Sequence, residues 1–123
     1  MVDSGILIVD DETTILKITI SVFTVAGLQV YWAENGEDAL RLLAGWPLRL
    51  LITDWHMPGL NGLELAEKAR ILKPDLRIVL TTAGDPPSPT QLKAAGISCV
   101  LRKPFRMKAL LDLLDPEDAP AQG

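Results

Sequence analysis

Only one cysteine and one histidine occur among the 123 residues. With Cys99 alone, no internal disulfide can form, and the chain reads as a protein of a reducing compartment. Cys99 sits in the apolar run "SCVL" and is expected as a small buried strand residue rather than a reactive thiol. Lys/Arg-rich runs are missing too, and the net charge is −4 with a pI of about 4.9. That disfavours nucleic-acid binding by this domain and points to proteins or cations as partners. No apolar run reaches membrane-spanning length, and no basic segment precedes an apolar stretch near the N-terminus. Neither a membrane nor a secretory route is expected, and the expected location is cytoplasmic. Apolar residues at 48% and charged residues at 23% are ordinary for a globular chain. The length suits one domain.

What is present is an alternation. "GILIV", residues 5–9, is wholly apolar and ends in Asp10 and Asp11, as suits a strand buried on both faces. From Glu12 to Ala26, Ile15, Ile18, Val22, Phe23 and Ala26 recur at helical spacing before Gly27. "ITISVFTV" alone would pass for a strand, and length with the closing glycine decides for helix. Leu16 and Ile20 widen this apolar stripe, which is expected as broader core or, alternatively, as a docking face for a kinase helix. A short extended segment near Val30 to Ala33 precedes "NGEDALRLLAG", where Asn35 caps and Ala39, Leu40, Leu42 and Leu43 form an apolar face. "LRLLIT" is a third strand closing at Asp54, and Asn61 with Glu64 opens a helix through Leu72 that Pro74 ends. "RIVLTT" is a fourth strand, Pro89 to Ala95 a short helix stopped by Gly96, and "SCVL" a fifth strand. The three prolines of "GDPPSP" predict that this fourth helix starts late and is short. Met107 to Leu114 predicts a last helix, so that residues 1–114 form the domain and 115–123, "DPEDAPAQG", a polar tail or linker. Such an order predicts an α/β fold with a five-stranded parallel, doubly wound sheet and flanking helices.

In open sheets of this kind, ligands bind at the carboxyl ends of the strands. Those ends carry Asp10 and Asp11, Asp54, Thr82 and Lys103. Three carboxylates at one edge repel and raise one another's pKa unless a cation neutralises them. A hard divalent ion, Mg²⁺ above all, resolves the repulsion, since it takes one or two carboxylates, keeps waters and accepts a phosphate oxygen. A carboxylate is also a nucleophile towards phosphorus when positive charge awaits the incoming oxygens. Asp54 is therefore read as a phosphoryl acceptor, with Lys103 and the Thr82 hydroxyl supporting it. Any one of these residues alone would pass as a helix cap or a solvated side chain; the five together carry the inference.

"ILIVDDE", "LLITDWHMPGLNGLEL", "IVLTTAG" and "VLRKPF", in this order and spacing, resemble the receiver domain of two-component response regulators over about residues 4 to 114. The resemblance implies a flavodoxin-like topology and phosphorylation of Asp54 by a partner histidine kinase or histidine phosphotransfer protein. It implies Mg²⁺ on Asp11 and Asp54 and the backbone carbonyl of His56, with Asp10 assisting largely through water. Thr82 and Lys103 would contact the phosphoryl oxygens, and the Lys103–Pro104 peptide would be cis. A homodimer is compatible with it, and enzymatic turnover beyond Mg²⁺-dependent self-phosphorylation and slow dephosphorylation is not expected. Phosphorylation would then switch protein contacts by adding charge and acceptor oxygens at one spot.

The chain departs from the family pattern at Val100, where a Tyr or Phe is usual, so an inward-swinging ring cannot report the state. His56 is expected as a partly exposed loop residue whose backbone carbonyl alone matters, the alternative being a ring that ligates metal or tunes loss of the phosphoryl group. Trp55 is expected as a packed or half-exposed neighbour of the site, and Trp32 and Trp46 are assigned no function. Three other functions compete. A receiver-like adaptor that does not switch is left open by Val100 and the prolines. A flavin carrier is disfavoured because the first strand leads into acidic residues. An aspartate-nucleophile phosphatase is disfavoured because His56 stands where a second acid would be needed.

Overall fold

The five apolar runs are five parallel strands of one sheet. The computed structural model describes residues 4–114, so the expected tail at 115–123 lies outside the described residues. The strands are β1 (Gly5–Val9), β2 (Val30–Ala33), β3 (Leu48–Asp54), β4 (Arg77–Thr82) and β5 (Cys99–Arg102). They alternate with α1 (Thr13–Val25), α2 (Gly36–Gly45), α3 (Gly62–Leu72), α4 (Pro89–Ala95) and α5 (Met107–Asp112). The spatial order β2-β1-β3-β4-β5 puts the switch in winding direction beside β1 and β3.

Strand alternation sends successive side chains to opposite faces. Leu7, Val9, Leu51, Ile78 and Leu80 point to one side, where they meet Leu43 of α2 and Leu65 and Ala69 of α3. Ile6, Ile8, Leu50, Ile52 and Val79 point to the other, against Leu16, Val22 and Phe23 of α1 and Leu110 of α5. Burial on both faces is why these strands read as unbroken apolar runs.

Helix ends follow local chemistry. Asn35 accepts a hydrogen bond from the Asp38 N–H at 2.8 Å and caps α2. Asn61 and Glu64 make a reciprocal capping box on α3, with both bonds at 2.9 Å. Ser88 and Gln91 do the same on α4, whose seven residues bear out the late start that the prolines predict. Gly96 ends α4 with φ of +79°, a conformation that suits glycine.

Three expectations are corrected. Ile18 is 55% exposed and Ala26 is exposed, so the stripe read from Ile15 to Ala26 is not all core, whereas of the residues that widen it Leu16 is buried and Ile20 packs against the core; Leu16, Thr19, Val22 and Phe23 form the buried face. Thr19 fits there because its hydroxyl donates to the Ile15 carbonyl at 2.8 Å. The fifth strand starts at Cys99 rather than Ser98, because Ser98 uses both its N–H and its hydroxyl on the Ile78 carbonyl just before the ladder begins. The last helix ends at Asp112, two residues short of the expected Leu114.

Candidate functional site

Parallel register sets the strand ends side by side: Val9 faces Thr53, Asp54 faces Thr81, and Thr82 faces Arg102. Backbone bonds continue past the strand ends, from Asp10 N–H to the Ala33 carbonyl at 3.2 Å and from Lys103 N–H to the Thr82 carbonyl at 2.7 Å. Asp10, Asp54 and Lys103 are thereby fixed at one edge by the sheet itself. The Lys103–Pro104 peptide is cis. Gly62 lets α3 begin directly against Asp54, since a Cβ there would lie 2.4 Å from the Asp54 carbonyl oxygen and 2.6 Å from Leu80.

Lys103 is the hub. Its Nζ lies 2.9 Å from Asp10 Oδ2, 2.9 Å from Glu12 Oε1 and 3.3 Å from Asp54 Oδ1. The side chains of Lys103, Asp10 and Asp54 are buried, whereas that of Glu12 lies on the rim, 60% exposed. Asp10 Oδ1 accepts from the Glu12 N–H at 2.9 Å, and Asp54 Oδ1 accepts from the Trp55 N–H at 3.0 Å. Asp54 Oδ2 takes no hydrogen bond among the described residues, although the side chain as a whole is only 8% exposed.

Burial first, and then the charge of Asp10, push the Asp54 pKa up to about 6 against the opposing pull of Lys103. Burial also raises the Asp10 pKa, against the Glu12 N–H and Lys103. Burial works against the Lys103 ammonium, but its bonds to Glu12 and Asp10 and the charges of Asp10 and Asp54 outweigh that, and its pKa is raised. The ammonium acts as the cluster's internal cation.

Of the residues singled out in the sequence, the fold joins Asp10, Asp54 and Lys103. Asp11 is exposed, and its charge acts on Asp54 only weakly. Thr82 is fully buried, and its hydroxyl turns to its own loop, donating to the Gly84 carbonyl at 3.3 Å and accepting from the Gly84 N–H at 3.1 Å. Arg102 donates to the same carbonyl at 3.3 Å. The His56 side chain is exposed, with its ring centroid 5.0 Å from that of half-buried Trp55. Cys99 is half-buried, and burial raises its thiol pKa, in keeping with a packing residue.

Glu12 is the residue that the sequence reading passed over. Glu12 occupies the N-cap of α1 with extended backbone, yet its side chain makes no capping bond and pairs with Lys103 instead. Asp10, Glu12 and Asp54 each offer a carboxylate oxygen within 4.8 Å of the others. Such an oxygen-only donor set fits a hard divalent cation.

A parallel, doubly wound α/β domain with an acidic cluster and a lysine at its carboxyl edge belongs to a recognisable class. The response regulator receiver domain family matches residues 6–115, and the chain belongs to that family, the phosphoacceptor signalling domains of two-component systems. It is a family of signalling domains rather than of catalytic enzymes. A chemotaxis protein CheY homolog of Campylobacter jejuni is 36% identical over 115 residues, covering 89% of this chain and 88% of the relative. Sporulation initiation phosphotransferase F of Bacillus subtilis is 29% identical, covering 91% of each. Among solved structures, a CheY-like receiver domain protein from Methanospirillum hungatei superposes with a TM-score of 0.85 at 27% identity, covering 97% of this chain and 96% of that one. A response regulator from Burkholderia pseudomallei, solved with a phosphorylated aspartic acid, calcium ion and citrate, gives 0.86 at 25% identity, covering 98% and 71%. Among the described residues, no helix is long and apolar enough to cross a membrane.

Proposed function

We propose that Asp54 accepts a phosphoryl group from a phosphohistidine on a histidine kinase or histidine phosphotransfer protein, and that this switches protein contacts of the domain. The observation that carries the reading is the pairing of Asp54 with a buried ammonium on Oδ1 while Oδ2 takes no hydrogen bond among the described residues. Oδ2 attacks phosphorus in line, the N–P bond breaks as the O–P bond forms, and the donor imidazole leaves with the electron pair. With a pKa of about 6, Asp54 is mostly ionised at neutral pH, as a nucleophile requires. Lys103 exchanges a carboxylate for a phosphoryl oxygen, and the Thr82 hydroxyl leaves Gly84 to donate to another.

Asp10, Asp11 and Asp54, with the His56 backbone carbonyl, would hold Mg²⁺, which would supply positive charge to the incoming oxygens. The phosphorylated aspartic acid and calcium ion in the Burkholderia pseudomallei relative support this chemistry. Residues 1–114 act as the receiver unit and 115–123 as a tail or link, in the cytoplasm, without nucleic acid or membrane as direct partners. A homodimer is compatible with the reading. Self-phosphorylation from small donors and slow dephosphorylation are the only turnover expected.

Intact mass after incubation with acetyl phosphate tests the reading, with and without Mg²⁺ and beside Asp54→Ala. A Mg²⁺-dependent phosphoryl adduct, absent from the variant, is the expected result. If no adduct forms and beryllofluoride leaves Trp55 fluorescence unchanged, the domain is a receiver-like adaptor that does not switch.

A further inference from the structure

We propose that Glu12 is a positioning residue that takes over the Lys103 ammonium when a divalent cation enters the carboxylate cluster, and so sets how readily the site accepts that cation. The proposal rests on the function given above and adds a residue that the family resemblance did not assign.

The geometry carries it. Lys103 Nζ lies equally close, 2.9 Å, to Asp10 Oδ2 and Glu12 Oε1, and 3.3 Å from Asp54 Oδ1. Two of these three carboxylates, Asp10 and Asp54, belong to the set proposed above to hold Mg²⁺; Glu12, though within 4.8 Å of them, lies on the rim and holds Lys103. A divalent charge there competes with Lys103 for the same oxygens and repels its ammonium. Lys103 is buried and cannot simply be released to water, because an unpaired ammonium in that position is costly. Glu12 is the remaining partner. Its carboxylate lies on the rim, is not committed to capping α1, and already holds Nζ at hydrogen-bond distance. Lys103 can therefore give up Asp10 and Asp54 while keeping one anion, and it stays beside Asp54 for the phosphoryl oxygens. Without Glu12, Lys103 has only the cation's own oxygens to pair with and resists displacement.

Two variants separate this role from a plain effect of charge. Glu12→Gln removes the negative charge, whereas Glu12→Asp keeps the charge but shortens the arm by one methylene so that it no longer reaches Nζ. Calorimetric titration of the full chain with Mg²⁺ alone is the measurement, made in the wild type, in both variants, in Lys103→Met and in the two double variants. Both Glu12 variants are expected to weaken Mg²⁺ binding by about fivefold, the scale of one partly exposed ion pair. Lys103→Met is expected to tighten binding by removing the internal competitor, and in its background neither Glu12 variant should shift affinity by more than about twofold. Wild-type affinity in Glu12→Asp, or an equal loss with and without Lys103, overturns the proposal, since Glu12 would then act through charge alone or as a direct ligand. If the wild type binds Mg²⁺ and no Glu12 variant changes it, the proposal alone fails. If the wild type binds no Mg²⁺, the functional reading falls and takes the proposal with it.

Discussion

The middle of β3 and its carboxyl end are one strand with opposite physical character. Leu50, Leu51 and Ile52 are buried between two helical layers, each in contact with apolar neighbours. Two residues further on, Asp54 is just as buried but is charged, shares its surroundings with Asp10, and depends on Lys103 for compensation. The same backbone ladder that stabilises the fold at its centre forces unfavourable charge together at its edge. Stability and chemistry are thus separated along the strand by a few residues, and changes at the two places should have opposite effects on unfolding.

Leu51→Ala gives the largest expected effect. It empties a fully buried site on the central strand and should lower unfolding free energy by about 3 kcal/mol in urea titration, while the folded fraction still takes a phosphoryl group. Loss of the adduct from the folded fraction would break the separation. Asp54→Asn tests the other end, in chelator so that no divalent cation intervenes. Because the folded pKa of about 6 lies above the ordinary aspartate range, the folded protein holds this proton more tightly than the unfolded chain. Ionised Asp54 therefore lowers stability at neutral pH, and the wild type should gain stability as pH falls through 6 towards 4. Asp54→Asn should be more stable than the wild type by about 2 kcal/mol at neutral pH, with the gap closing in acid; a destabilised variant would contradict the contrast. Asn61→Ala, which removes the capping box of α3 beside the site, should cost about 1 kcal/mol by thermal denaturation. The smallest effect belongs to Lys108→Ala, whose exposed pair with Asp112 at 3.0 Å should change stability by about 0.3 kcal/mol and leave Mg²⁺ binding alone.

Most of the architecture was legible because both-face burial writes a parallel strand as an unbroken apolar run, and because Asn61, Gly96 and the prolines before α4 mark helix ends through their own backbone chemistry. Asp10, Asp54 and Lys103 were legible as the residues immediately after such runs. The phase of α1 was not. In a stretch with apolar residues at nearly every other position, spacing does not choose between Ile18 and Thr19, and only the packing of Phe23 and Leu16 on the sheet turns Thr19 inward. Glu12 escaped because its partner lies 91 residues away in the chain, and the contact exists only once the strand order has brought β5 to the same edge. The engagement of Thr82 with Gly84 was hidden for a different reason: a hydroxyl's partner is a rotamer choice that no pattern records.

The ammonium of Lys103 has a meaning for the life of the chain before any signal arrives. Because the polypeptide supplies its own counterion, the acidic edge can assemble in a nascent protein whatever ions the surrounding solution offers. Small domains built around a structural metal are unfolded until it is loaded. This chain, with its hydrophobic layers complete on both sides of the sheet, should fold without a cation, and a chelator should leave its secondary structure and cooperative unfolding intact while lowering the midpoint only by what loss of a bound ligand costs. A cation would then serve the chemistry of the edge rather than hold the fold together.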